Sequence, residues 1–195
     1  MRASGLADAI EIQYLPANLH NRPEKIVPSL RPLLADARAT GRTVVVAYAD
    51  CGTGGALDVL LELFPGVTRL PGAHCYELFA GRELFASLHD DEPGTFYLTD
   101  FLAKHFDALV WTGLGLDRYP QLRDAYFGNY SRVVLLAQTD DDAVTALAAA
   151  AANRLALSFE RHLVGRTELQ RELRRALVVD DGDVDVDVVV DGEAA

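Results

Sequence analysis

Apolar and polar positions alternate along the chain with two periods, which predicts strands and helices in turn. The segments TVVVAYA (43–49) and RVVLLAQ (132–138) are continuous apolar runs rich in β-branched residues, as strands buried on both faces require. The segment 140–157 has the composition of a strong helix, with acidic residues at its start and Arg154 near its end.

The segments between these runs follow the same alternation. Strands are also predicted at 10–15, 67–70, 94–99 and 158–164. Helices are also predicted at 23–41, 53–64, 75–89, 100–111, 119–130 and 166–177. Strands that alternate with helices are typical of a mostly parallel sheet covered on both faces. We therefore predict a three-layer α/β/α fold with a Rossmann-like sheet, formed by a single domain over residues 10–177.

The acidic charge of the chain is concentrated at its C-terminal end. Residues 178–195 contain seven of the 29 acidic residues and no Lys or Arg, which leaves 22 acidic against 18 basic residues elsewhere. Asp and Val alternate there as in a strand, but the charge and the terminal position favour a disordered tail. The absence of a basic patch predicts that nucleic acid is not a partner.

The apolar residues predict no association with a membrane. Half of the 195 residues are hydrophobic, but no apolar run approaches the roughly 20 residues that a membrane-spanning helix needs. The first residues lack the apolar core of a signal peptide. We therefore expect a cytoplasmic protein, in which two cysteines are free thiols or metal ligands rather than a disulfide.

The candidate chemistry lies where predicted strands end. Ligands of open α/β sheets bind at the carboxyl ends of the strands, so residues that follow different strands are expected on one rim. The candidates on this rim are His20, Asn21, Asp50, Cys51, Gly52, Gly54, Gly55, His74, Cys75 and Thr139. The two cysteines are 24 residues apart, which is one helix plus one strand, so adjacent loops can bring them together.

Three interpretations of this rim stay open. A metal site would use Cys51, Cys75 and a histidine, His74 or His20, since thiolate and imidazole suit zinc, iron or cobalt, and an iron–sulfur centre is also compatible. A metal-free enzyme would use a cysteine nucleophile at a helix N-terminus, with Asp50 as an orienting carboxylate. Free cysteines that merely pack in the interior are the third interpretation.

The glycine-rich loops offer a further, non-catalytic alternative. CGTGG (51–55) resembles a phosphate cradle, in which Gly52, Gly54 and Gly55 would hold an anionic small molecule. It is neither G-x-G-x-x-G nor a Walker loop, so no nucleotide is predicted. Glu77, two residues after Cys75, is a second candidate catalytic carboxylate beside Asp50.

Five blocks of the chain together resemble one protein family. The blocks are YLPANLHNRPEKI (14–26), YADCGTGG (48–55), RLPGAHCYELFAG (69–81), EPGTFYLTDF (92–101) and GNYSRVVLLAQT (128–139). They are similar, in order, to the domain of unknown function 1638 family. The motifs of that family correspond here to His20, Pro23, Glu24, Cys51, Gly52, His74 and Cys75.

The resemblance adds three expectations. Family members begin with an earlier strand that ends in a cysteine–glycine pair, whereas this sequence starts within what resembles the following helix. Two alternatives stay open: the start codon is assigned late, or this member lacks the first strand. The resemblance also implies an association with corrinoid-dependent methyltransferase proteins, which makes a corrinoid a further candidate cofactor. Since each chain has only two cysteines, a metal site shared across a homodimer is an alternative to a site within one chain. The leading hypothesis is a metal-binding protein or metalloenzyme with Cys51, Cys75 and His74 as ligands.

Overall fold

The computed structural model describes residues 10–177 and 186–192, which form two compact α/β units. The first unit holds the described residues up to Cys75 and from Gln170 onward, and the second unit is Tyr76–Leu169. All strand pairs are parallel, which confirms the predicted α/β class. The single domain predicted over 10–177 thus contains two units, and its folding as one domain stays a prediction.

The described residues form seven strands and eight α-helices. The strands are β1 (Ile10–Pro16), β2 (Thr43–Val46), β3 (Thr68–Arg69), β4 (Thr95–Thr99), β5 (Arg132–Ala137), β6 (Ser158–Leu163) and β7 (Val186–Gly192). The helices are α1 (Ile26–Thr40), α2 (Ala56–Leu61), α3 (Cys75–Ala80), α4 (Arg82–Asp91), α5 (Asp100–Lys104), α6 (Leu122–Phe127), α7 (Asp142–Leu155) and α8 (Thr167–Leu177). Short 3₁₀ turns at Ala17–Asn21 and Pro23–Lys25 and a π-helical turn at Asp107–Trp111 complete the helical segments.

The first unit is built on a four-stranded sheet in the order β1-β7-β2-β3. Val44 and Val46 of β2 pack with one apolar face of α1 and α2, which forms the core of this unit. The core residues that the two helices contribute are Ile26, Leu30, Leu34, Ala37, Leu57 and Leu60. Sheet and helices therefore hold the ends of β1, β2 and β3 in fixed positions at one edge.

Strand β7 differs from the sequence-based expectation of a disordered tail. Residues 186–192 lie between β1 and β2 and pair with both, so that Gln13 and Val46 are both opposite Val189. Alternating Val residues have a high β-propensity, and pairing on two sides satisfies the backbone of the segment. The charge pattern alone did not indicate that this segment forms a strand between β1 and β2. The remaining tail residues lie outside the described ranges.

The second unit has three layers around the sheet β4-β5-β6. Five consecutive residues of β5, Val133–Ala137, are buried, as a strand covered on both faces requires. One face packs on α7 through a core that includes Val133, Leu135 and Ala148. The other face, with Val134 and Leu136, packs on a cluster that includes Leu88 of α4.

Several predicted helices are divided where the backbone requires it. The helix predicted over 75–89 is interrupted at Gly81, whose φ of 78° separates α3 from α4. The helix predicted over 100–111 ends at Lys104 and gives way to the π-helical turn. The helix predicted to start at Pro23 begins with the 3₁₀ turn Pro23–Lys25, and the α-helix itself starts at Ile26. Within the described ranges, no helix has the length and apolarity needed to cross a membrane.

Candidate metal centre

Three side chains from three separate loops meet at the carboxyl edge of the first sheet. His20 follows β1, Cys51 follows β2, and Cys75 follows β3 as the first residue of α3. Their possible ligand atoms all lie within 4.8 Å of one another. The rim rule for open α/β sheets accounts for the convergence, since parallel strands end at the same edge.

Two backbone hydrogen bonds join the loop after β2 to the loop after β3. Asp50 N–H donates to the carbonyl of Gly72 at 3.1 Å, and Cys51 N–H donates to the carbonyl of Ala73 at 3.0 Å. These bonds continue the pairing of β2 with β3 past the end of the sheet. They place the backbone of Cys51 beside the segment that leads directly into Cys75.

Cys51 has an unusual backbone conformation. Its φ is 49°, in the left-handed region that side chains other than Asn, Asp and His rarely adopt. The next residue, Gly52, has a φ of 83°, and a Cβ atom there would lie 3.5 Å from the Pro23 ring. The loop therefore packs against the segment that carries His20. Unfavourable backbone conformations concentrate at functional sites, so this conformation argues against a purely packing role for Cys51.

The Asp50 carboxylate holds the glycine loop in shape. It accepts hydrogen bonds from Thr53 Oγ1 at 2.5 Å, Gly55 N at 2.9 Å and Gly54 N at 3.0 Å. The bond from Thr53, with those from the two glycine amides, lowers the pKa of the Asp50 carboxyl. An exogenous anion would have to displace this carboxylate to reach the two amides. In this structure, the carboxylate that the sequence suggested as catalytic therefore accepts hydrogen bonds from its own loop.

Arg69 anchors the loop that leads to Cys75. Its guanidinium forms a two-pronged ion pair with Asp58 of α2, at 2.6 and 2.9 Å. The same group donates to the carbonyls of Leu70 at 2.8 Å and Gly72 at 3.3 Å. A planar guanidinium can make these contacts simultaneously, which a lysine could not. Sequence reasoning did not identify this residue, since an arginine at a strand end carries no special pattern.

The two cysteine sulfurs ionise as a pair. Their Sγ atoms are 2.7 Å apart. The pKa of Cys51 is raised far above that of an ordinary thiol, because this thiol hydrogen bonds to Cys75 and is largely buried. The pKa of Cys75 is lowered to about 5, because its sulfur receives the hydrogen bond of Cys51 and a further one from His20. The Cys75 thiol therefore loses its proton easily and the Cys51 thiol keeps its own, which provides a thiolate near neutral pH.

His20 completes the group from the side of the solvent. Its side chain is exposed, and its ring stacks on Tyr48, with centroids 6.2 Å apart and planes inclined by 19°. Tyr48 is fully buried, so it is a rigid support for the imidazole. The imidazole is thus held at the rim next to two sulfurs, in a position open to small molecules.

The other sequence-predicted residues lie outside this group. His74 precedes Cys75 but is exposed and is not among the three converging side chains, and Asn21 is exposed next to His20. Glu77 and Thr139 belong to the second unit. Thr139 Oγ1 donates to Asp100 Oδ2 at 2.6 Å at the end of β5. Sequence spacing alone favoured His74 as a ligand, whereas the tertiary structure brings His20 to the sulfurs.

A family model described as "Protein of unknown function (DUF1638)" matches residues 14–173. The chain belongs to this family. Its match to the domain of unknown function 1638 family includes His20, Cys51 and Cys75, so the whole converging group lies within the family region. No curated protein and no solved structure matches the chain.

Proposed function

We propose that this member of the domain of unknown function 1638 family binds one metal ion through His20, Cys51 and Cys75. The observation that carries the proposal is the convergence of two sulfurs and one imidazole from three loops within 4.8 Å. Thiolate and imidazole are ligands of zinc, iron and cobalt, and zinc fits a set of two cysteines and one histidine best.

The geometry supports an open rather than a closed metal site. Closed structural zinc sites have four protein ligands, whereas catalytic sites keep one position for water or substrate. Only His20, Cys51 and Cys75 converge among the described residues, and His20 is exposed. The protein would therefore present a metal with a free position to a small molecule at the rim.

The chain itself would prepare the ligands for the metal. A bound metal of this class would supply Lewis-acid activation of a thiol or another small substrate. The hydrogen bonds at Cys75 favour its thiolate, which is the form that coordinates metals. Asp50 and Arg69 fix the two loops, so the backbone that carries the two cysteines is held in place by the chain itself. An association with corrinoid-dependent methyltransferase proteins stays a prediction.

Elemental mass spectrometry on protein purified without an affinity tag tests the proposal. We expect about one zinc, iron or cobalt ion per chain. Cys51→Ser and Cys75→Ser should each abolish stoichiometric binding, and His20→Ala should weaken it strongly because the remaining set has two protein ligands. His74→Ala should retain the metal, which separates the two histidines. His89→Ala, an exposed histidine in the second unit, is the matched control.

Two results would contradict the metal proposal. One is wild-type protein without stoichiometric metal, even after incubation with each of the three ions under reducing conditions. The other is a metal that persists in both cysteine variants. A metal-free protein whose Cys75 reacts rapidly with an alkylating reagent below neutral pH would support the cysteine-nucleophile alternative, which the lowered pKa of Cys75 favours.

A further inference from the structure

The distance between the two sulfurs is intermediate between the sulfur–sulfur distances of a disulfide and of two cysteines bound to one zinc ion. The Sγ atoms of Cys51 and Cys75 are 2.7 Å apart. Two thiolates on one tetrahedral zinc ion, each at about 2.3 Å from the metal, would be about 3.8 Å apart. Two sulfurs in a disulfide are about 2.05 Å apart. The distance between the sulfurs would therefore change by about 0.7 Å to form the disulfide and by about 1.1 Å to hold the zinc ion.

We propose that Cys51 and Cys75 also form a reversible disulfide, and that oxidation of this pair regulates the metal site by releasing the metal. The regulatory part rests on the proposed function, since it assumes that the same two sulfurs hold the ion. The two states exclude each other, because sulfurs joined in a disulfide are no longer thiolates.

The backbone around the pair is already arranged for a cross-link. The hydrogen bonds from Asp50 N to Gly72 O and from Cys51 N to Ala73 O hold the two loops side by side. Both cysteines are half-buried free thiols, so a small oxidant can reach them. The chain contains no other cysteine, so each of the two sulfurs can form a disulfide within the chain only with the other.

The oxidation balances with a small-molecule disulfide as the oxidant. One thiolate of the pair attacks a sulfur of that disulfide, which forms a mixed disulfide and releases one thiolate of the oxidant. The second cysteine then attacks the mixed disulfide, forms the Cys51–Cys75 bond and releases the other thiolate. Two electrons pass from the protein to the oxidant. In the metal-free protein the protons of the two cysteines end on the two released thiols, whereas in the metal-loaded protein both cysteines are thiolates, so the released thiolates take up protons from water. The metal ion leaves without a change of charge.

Oxidised glutathione is the probe, with the reduced, zinc-loaded chain as the starting material. We expect an internal disulfide, seen as the loss of both titratable thiols and of two hydrogen atoms in the intact mass. Zinc should appear in solution, in a chromogenic chelator assay, in proportion to the disulfide formed. Dithiothreitol should restore both thiols and zinc binding. The metal-free protein should form the same disulfide faster, because no ion has to leave.

Variants separate the two parts of the proposal. Cys51→Ser and Cys75→Ser should give only mixed disulfides with glutathione. His20→Ala keeps both sulfurs and should form the internal disulfide with little protection by zinc. Failure of the reduced wild type to bind zinc, iron or cobalt would overturn the proposed function and the regulation together. Two results would overturn this inference alone. One is a wild type that binds zinc but forms no internal disulfide when it is metal-free. The other is an oxidised protein that keeps its zinc.

Discussion

Both units carry polar side chains at the carboxyl ends of their strands, but the two groups are built differently. In the second unit, the Asp100 carboxylate accepts hydrogen bonds from Gln138 N at 2.9 Å and Thr139 Oγ1 at 2.6 Å. The side chain of Gln138 accepts the backbone N–H of Asp100 in return, at 2.9 Å. In the first unit, His20, Cys51 and Cys75 bring together atoms that could ligate a metal, beside a left-handed backbone.

The difference indicates how a strand end can serve the fold or a function. The buried Asp100 cluster, formed by Asp100, Gln138 and Thr139, satisfies its own hydrogen-bonding groups and ties β4 to β5, which is a structural role. The first group combines thiols, an exposed imidazole and an unfavourable backbone conformation, which stability alone does not call for. Position at the rim therefore does not by itself identify a functional residue.

The chain offers one reporter for each unit. Both cysteines lie in the first unit, and the only tryptophan, Trp111, lies in the second. A bulky thiol reagent reaches the half-buried sulfurs more slowly in the folded than in the unfolded protein, so its rate of reaction follows the first unit, and tryptophan fluorescence follows the second. The comparison can be tested by changes directed at one unit while both signals are recorded.

We expect the largest effect from Val189→Pro in the first unit. This residue lies in β7, opposite both Gln13 and Val46, and proline removes a backbone donor inside a central strand. A loss of about 3 kcal/mol or more in the free energy of unfolding is expected. The rate at which Cys51 and Cys75 react with a thiol reagent in increasing urea measures it, with Val189→Ala as the control. Unchanged thiol protection would mean that β7 does not hold β1 and β2 together.

A smaller effect is expected from Asp100→Ala in the second unit. The change leaves the Gln138 N–H and the Thr139 hydroxyl without their buried acceptor, which should cost about 2–3 kcal/mol. Urea unfolding followed by Trp111 fluorescence measures the loss, while metal content should stay at the wild-type level. Asp140→Ala, which removes an exposed ion pair with Arg161, is the control and should cost well under about 1 kcal/mol. A metal lost together with Asp100 would contradict the separation of the two roles.

The smallest effect is expected from Asp50→Ala in the glycine loop. The loss of hydrogen bonds to a half-exposed carboxylate should cost about 1 kcal/mol at neutral pH. Because folding lowers the pKa of Asp50, its contribution is present above the unfolded pKa of 3.8 and is lost as the pH falls through the folded value. Thiol protection in urea at a series of pH values measures this dependence.

Asp36→Ala, on the surface of α1, is the matched control for the glycine loop. Its exposed ion pair with Arg42 should contribute roughly a few tenths of a kcal/mol to the free energy of unfolding. The difference between wild type and Asp50→Ala should therefore vanish at low pH, whereas that of Asp36→Ala stays small throughout. A constant difference for Asp50→Ala down to the lowest pH at which the protein is folded would show that its charge does not hold the loop.

Local pattern was sufficient for the elements whose environment is uniform. The continuous apolar runs at 43–49 and 132–138 contain β2 and β5, and the alanine-rich segment at 140–157 contains α7. Asp141 caps that helix through hydrogen bonds to Ala143 N and Val144 N. That adjacent loops bring Cys51 and Cys75 together also followed from their positions after parallel strands.

Other features depend on which segments become neighbours. The segment 186–192 has both the charge of a solvated tail and the alternation of a strand, and pairing with β1 and β2 decides between them. His20 and His74 each follow a strand, but only His20 lies with the sulfurs. By sequence, the Asp50 carboxylate was a candidate catalytic group. In the structure it accepts hydrogen bonds from the backbone amides of Gly54 and Gly55.

By itself, the sequence determined the order of the strands and helices that it predicted, because hydrophobic periodicity is a local property. It also placed the cysteines and a histidine at one rim of the sheet, because the direction of each strand fixes which residues follow it. Only the tertiary structure decided that β7 lies between β1 and β2, that His20 joins the two sulfurs, and that Asp50 holds its own loop. These outcomes depend on hydrogen bonds and contacts between segments far apart in the chain, for which no local pattern carries the information.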